Sequence, residues 1–139
     1  MNPTTDVDNR TDDRQAIRQA ALDYVEGWYD GDTDRMARCL HPSLVKRTVK
    51  RLSPNGREYL NYLTREEMVV GTAEGGGTHV PKDRRQYTIT ILDLYGEIAA
   101  VRAENPDWID YLQLARIEGQ WVIVNVLYTI NHANQYILG

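Results

Sequence analysis

The chain has 139 residues, a mass of 16.0 kDa and a formal net charge of −4, with 42% hydrophobic and 26% charged residues. That is the length of one domain able to bury a core, and the composition is that of a folded protein rather than a disordered one. The acidic balance, without a basic stripe, excludes the usual footprint of nucleic-acid binding, and no apolar run approaches the roughly 20 residues that cross a bilayer.

Cys39 stands alone, so no internal disulfide is available. A core held together without cross-links predicts a reducing, cytoplasmic setting. The opening MNPTTDVDNRTDDR is polar and acidic, which predicts a loose tail over residues 1–10 and no signal peptide. The rest, 11–139, reads as one domain. Aromatic usage is skewed, with nine Tyr, three Trp and no Phe. A core or cavity built from these rings carries hydroxyl and indole N–H groups that need partners.

Ile17, Ala20, Ala21, Tyr24, Val25 and Trp28 recur at helical spacing and predict a helix from about Asp12 to Asp30. Thr11 is its candidate N-cap, and Gly31 suits the left-handed position after its end. A short helix is expected over Thr33–Leu40, capped by Asp32 and closed by Pro42. Leu44–Leu52 alternates as a strand. It reads as a solvated strand with basic residues outward: Val45, Arg47 and Val49 share one face, on which Arg47 either points inward or is solvated, and Lys46, Thr48 and Lys50 share the other, solvent-facing side. A Pro54-Asn55-Gly56 turn and a short extended piece, Tyr59–Leu63, follow.

Thr64-Arg65-Glu66-Glu67 is a capping box that starts a third helix over Arg65–Glu74, and Gly75-Gly76-Gly77 ends it. Gln86–Tyr95 and Ile98–Glu104 read as strands, followed by a turn at Asn105-Pro106-Asp107. The stretch from Asp110 to Tyr128 then reads as two more strands around Glu118-Gly119. Four strands with short turns make an antiparallel meander, and the amphipathic first helix is its natural cover.

Two segments, ALDYVEGWYDGDTDRMARCLHPSLVKR (Ala21–Arg47) and DYLQLARIEGQWVIVNVLY (Asp110–Tyr128), carry a resemblance. The chain resembles the NTF2-like superfamily, also called SnoaL-like or cystatin-like, and within it the branch named for putative lumazine binding. The resemblance spans nearly the whole chain from about residue 12. It implies an α+β cone, with N-terminal helices packed on the concave face of a strongly curved, mainly antiparallel sheet. It also implies a pocket at the wide end and a homodimer through the outer sheet face. Such folds host isomerases, dehydratases, cyclases and plain binding modules, so fold does not settle function.

The ketosteroid-isomerase branch of that superfamily places a protonated acid at the strand position matching Asp110. Asp110 is therefore a candidate oxyanion-binding group, with Tyr24 as a second donor; the alternative is a carboxylate that ties a strand end. The base of that branch has no counterpart in Leu44-Val45-Lys46-Arg47-Thr48. His41 is a candidate base at the cavity rim, or else a helix-end His satisfying free carbonyls. Arg47 is a candidate anion clamp. Asn125 is the polar residue within Trp121–Leu127, and alternation puts it on one face with Trp121, Ile123 and Leu127, facing the cone. Val122, Val124, Val126 and Tyr128 are left on the other face, apolar enough to need a second chain. Trp28, Tyr111 and Tyr128 are candidate ring-stacking walls.

The three His residues, His41, His79 and His132, show no metal-ligand spacing, and there is no phosphate-binding loop. The expectation is therefore no cofactor and no metal. The leading reading is a homodimeric domain that binds a small aromatic or anionic molecule, without nucleic-acid or membrane partners. A small cofactor-independent enzyme using His41 with Asp110 or Tyr24 is the alternative, and a protein-interaction module the third.

Overall fold

The computed structural model describes residues 10–133. Most of the expected N-terminal tail, 1–9, and the last residues of the expected domain, 134–139, lie outside the described residues. Helix α1 (Thr11–Asp30) and helix α2 (Thr33–Cys39) lead into strand β1 (Leu40–Arg51) and strand β2 (Glu58–Thr64). Helix α3 (Arg65–Ala73) and a 3-10 turn (Lys82–Arg84) follow. Strands β3 (Thr88–Tyr95), β4 (Ile98–Glu104), β5 (Trp108–Ile117) and β6 (Gln120–Ile130) complete the chain.

The six strands form one sheet in the order β2-β1-β6-β5-β4-β3. Only the β1–β6 pair is parallel. The fold is the expected α+β cone: a curved, mostly antiparallel sheet covered on one face by helices. Irregularities in the β1–β6, β3–β4 and β5–β6 registers supply bends in the sheet. Glu118 (φ 50°) and Gly119 (φ 80°) are both left-handed. This two-residue turn matches the right-handed twist of the strands it joins.

The core is the contact between α1 and the inner face of the sheet. Ile17, Ala21, Met36, Leu112, Leu114, Ile123 and Val126 are buried there. The expected capping box at Thr64 is present, with the Thr64 side chain accepting from the Glu67 N–H and Glu67 reaching back to Thr64 N–H. At the start of α1 the expected N-cap is displaced. Arg10 holds that position without a side-chain cap, and Thr11 is already helical. Instead, Asp13 pins the helix to the β5–β6 hairpin, accepting from Trp121 Nε1 (2.9 Å) and Arg116 Nη1 (3.1 Å).

Three expectations about strands are overturned. Helix α2 stops at Cys39, and β1 starts at Leu40 rather than Leu44. Pro42 lies inside β1, where the register to β6 shifts between Leu40 and Val45, a break that suits a residue without an N–H. The inner face of β1 is Leu44, Lys46 and Thr48, not Val45, Arg47 and Val49; Val49 is 57% exposed.

In β6 a bulge at Val124 separates the pairs Leu114–Ile123 and Gln113–Asn125. The extra residue moves the alternation on by one step, because a single-residue shift exchanges the faces. Trp121, Ile123, Val126 and Tyr128 therefore turn inward, while Asn125 and Leu127 turn outward.

A second polar anchor joins α1 to α2. The buried Asp23 carboxylate accepts from Arg35 Nε (2.9 Å), Arg38 Nη2 (3.0 Å) and Gln19 Nε2 (3.1 Å). Burial alone would raise this carboxyl, and the hydrogen bonds from Arg38, Arg35 and Gln19 outweigh it, holding it below the usual carboxylate range. Its stabilisation is therefore complete above the ordinary Asp value of about 3.9 and is lost as pH falls through the lower folded value.

Asp23→Asn is expected to cost about 1–3 kcal/mol near neutral pH, a loss that shrinks in strong acid, when the wild-type carboxyl is itself protonated. Urea unfolding of both proteins at neutral and acid pH measures this. An equal gap at both would contradict the role assigned to Asp23.

Candidate functional site

Between α1, β1, the start of α3 and the open end of the sheet lies a cavity of about 170 Å³. Its walls are mostly apolar and aromatic: Trp28 and Tyr29 from α1, Met68 from α3, Trp108 from the start of β5 and Tyr128 from β6. Trp108 stands at 40% exposure and meets Tyr128 edge to face, with ring centres 5.6 Å apart and an interplanar angle of 76°. Such a T-shaped pair is a favoured arrangement of ring quadrupoles.

The Trp28 wall is held from behind by the loop after α3. A Cβ added to Gly76 would collide with the Trp28 ring, and one on Gly77 with the Trp28 backbone. Gly76 and Gly77 are thus required by close packing on Trp28.

The polar end of the cavity is a cluster from three elements. Tyr24 of α1 donates its hydroxyl proton to Asp110 Oδ2 of β5 at 2.6 Å. Lys46 of β1 donates from Nζ to the Tyr24 hydroxyl oxygen at 2.5 Å. Its distance to Asp110 Oδ2, 3.7 Å, is an ion-pair distance rather than a hydrogen bond. The ammonium also lies over the face of Tyr128, 4.5 Å from the ring centre. Asp110 and Tyr128 are directly paired across β5 and β6, and Thr48 of β1 donates to the Tyr128 carbonyl at 2.7 Å. The three strands are therefore locked in register at the site.

Burial shifts the titrations here. Desolvation, with the Asp110 charge added, lifts the Tyr24 hydroxyl well above the usual phenol range. Desolvation pulls the Lys46 ammonium below the ordinary lysine range, and the Asp110 charge offsets part of that pull. Tyr128 is raised by burial and then by Asp110. Tyr24 is the only hydrogen-bond acceptor that Lys46 reaches among the described residues, which leaves donor capacity on an ammonium with three N–H groups.

Of the residues singled out from sequence, Tyr24, Trp28, Asp110 and Tyr128 meet at this cavity. Arg47, Tyr111, Asn125 and Leu127 do not. The register joins Arg47 to Leu127 and Leu127 to Tyr111 on the outer face, and Asn125 donates to Gln113 there at 3.2 Å. The bulge at Val124 reverses Asn125 and Leu127, the reversed face of β1 turns Arg47 outward, and Tyr111 faces away from the cavity because it alternates with the inward Asp110.

His41 lines a separate groove with Ala37, Arg65, Glu118 and Val122, its Nδ1 accepting from Ser43 N–H at 2.9 Å. That groove includes Ile117 and Glu118, at the far end of β5 from Asp110; seven strand residues span roughly 23 Å. The pairing of His41 with Asp110 or Tyr24 is therefore not assembled. His79 and His132 are exposed. Burial pushes the Cys39 thiol up to about 12, far from a reactive thiolate. Among the described residues no three His, Cys, Asp or Glu side chains gather as a metal site, and no helix is long and apolar enough to cross a membrane.

Tyr29, Met68 and Trp108 line the cavity without being singled out from sequence, and the residue misplaced there is Lys46, assigned to solvent on its charge. Two signals pointed to it: its alternation with Leu44, and its identity as one of only three lysines among sixteen basic residues.

Comparison with known proteins places this architecture. A search of curated proteins finds no match. Among solved structures, an NTF2-like protein of unknown function from Silicibacter pomeroyi is 19% identical, with a TM-score of 0.67 over 88% of this chain and 99% of that one. One from Methylobacillus flagellatus is 21% identical, with a TM-score of 0.63 over 87% and 94%. A cystatin-like domain of unknown function from Nostoc punctiforme is 14% identical, with a TM-score of 0.55 over 92% and 84%. At such low identities these TM-scores show a shared fold alone. Residues 12–129 match a single family profile, and the chain belongs to that family, described as "Putative lumazine-binding".

Proposed function

We propose that the protein is a binding domain for a compact, flat, aromatic small molecule carrying an anionic or carbonyl oxygen. The observation that carries this reading is the buried Lys46 ammonium at the polar end of an otherwise aromatic cavity. The ring would lie among Trp28, Trp108 and Tyr128, and its oxygen would accept from Lys46, a charge-assisted hydrogen bond. At about 170 Å³ the space falls below the roughly 300–1,000 Å³ of pockets for drug-sized ligands. That favours one or two fused rings over a steroid. The family's description names lumazine, a flat bicyclic dione of suitable size and chemistry. A cytoplasmic setting fits the single, buried Cys39.

The same reading includes a homodimer through the outer sheet face. Tyr62, Arg47, Leu127, Tyr111 and Arg102 form one continuous row across five strands. Tyr62 is 63% exposed, Leu127 53% and Tyr111 48%. An antiparallel sheet that already packs its inner face on helices has no internal use for such a row, and covering it with a second copy removes apolar surface from water.

Two measurements test this. Titration with lumazine and 4-hydroxybenzoate is expected to quench tryptophan fluorescence saturably and raise the melting temperature. Lys46→Met should weaken binding about tenfold or more, the loss of one charged hydrogen bond. Absence of any shift with either compound, in quenching or melting, would overturn the binding reading. Sedimentation is expected to give a dimer for the wild type and a monomer for Leu127→Arg with ligand affinity retained; a monomeric wild type would overturn the interface.

A further inference from the structure

The ion pairs that hold this fold together use arginine. Asp23 is met by Arg35 and Arg38, and Asp13 by Arg116. Arginine suits such work because it stays charged and hydrogen-bonds in a fork. The exception is the pair that borders the cavity, where Asp110 is met by Lys46. Lysine is the basic side chain that can give up its proton and become a nucleophile.

The surroundings provide a route for that proton. Lys46 Nζ donates to the Tyr24 hydroxyl oxygen (2.5 Å), and the Tyr24 hydroxyl donates to Asp110 Oδ2 (2.6 Å). Moving each proton one step along this chain turns an ammonium and a carboxylate into an amine and a carboxylic acid. No net charge is created in the interior, and the uncharged Lys46 amine is favoured by low dielectric. The other groups facing Lys46 supply no competing charge: Tyr128 from β6 presents its ring, and the wall also carries Leu63 from β2 and Met68 from α3.

We propose that Lys46 is a carbonyl-capturing amine that binds small aromatic aldehydes covalently and reversibly as an imine, a deepening that rests on the aromatic-pocket reading above. The Nζ lone pair adds to the carbonyl carbon, and the carbonyl π electrons pass to oxygen. The proton held on the Tyr24–Asp110 arm passes to that oxygen; of the two N–H protons, one leaves with the oxygen as the C–O bond breaks and water departs, and the other returns to the Tyr24–Asp110 arm. Aldehyde and amine give imine and water, with no oxidant or reductant consumed. The lowered affinity of the buried ammonium for its proton, caused by desolvation, supports the same assignment.

Reductive trapping tests it. The full chain is incubated with 4-hydroxybenzaldehyde and sodium cyanoborohydride at neutral pH, and the modified lysines are located by peptide mass mapping. Lys50 and Lys82, the two other lysines, are exposed and act as internal controls. Labelling of Lys46 is expected to run about tenfold faster than at either control, because the pocket holds the aldehyde against an amine that sheds its proton more readily. Excess 4-hydroxybenzoate should suppress it. Lys46→Arg, which cannot form an imine, should abolish the fast adduct and leave Lys50 and Lys82 labelling at their wild-type rates.

If 4-hydroxybenzoate binds while the three lysines label at equal rates, carbonyl capture is overturned and the pocket reading stands. If 4-hydroxybenzoate neither binds nor protects and labelling is again uniform, both are overturned.

Discussion

The Lys46 ammonium, held between the Tyr24 hydroxyl and the Asp110 carboxylate, is the interaction on which the rest of the site depends. It joins a helix to two strands that are not neighbours in the sheet: α1 supplies Tyr24, β1 supplies Lys46 and β5 supplies Asp110. An isolated ammonium in this position would be costly to desolvate, and one partner alone would leave the interior with a net charge. The cluster is tolerable because the charges oppose each other and the phenol bridges them. Its consequence is a polar anchor in a cavity whose other walls are rings and aliphatic chains.

The remaining polar anchors fix the geometry around that centre. Asp13 ties the start of α1 to Trp121 and Arg116 on the β5–β6 hairpin, and Asp23 ties the middle of α1 to α2. Glu26 accepts from Arg35 and from the Tyr87 hydroxyl, adding the segment before β3. Helix α1 is therefore held at several points along its length, and Tyr24 and Trp28 sit on a member with little freedom to move. The glycine loop behind Trp28 closes the same wall by steric fit.

Much of the fold was legible in the sequence. The helical stripe from Ile17 to Trp28, the capping box at Thr64 and the two-residue turn at Glu118-Gly119 each follow from local chemistry, and each is present. The face assignments were not legible, for two reasons. A bulge inserts one residue without a distinctive sequence mark, and it reversed Asn125 and Leu127 while leaving Trp121 and Ile123 inward. A charged side chain reads as solvent-facing unless its partner is known, and the partners of Lys46 lie 22 and 64 residues away in the chain, at Tyr24 and Asp110. Where local pattern meets buried polar chemistry, long-range pairing decides.

Titration of the lysine side chains by NMR tests the central claim most directly. The chain has only three lysines, so their carbon-13 ε resonances can be separated and assigned with Lys46→Arg. The cluster predicts one resonance, absent from the variant, titrating below the ordinary lysine value of about 10.4. Three resonances titrating together at the ordinary value would place Lys46 in water and contradict the account of the site.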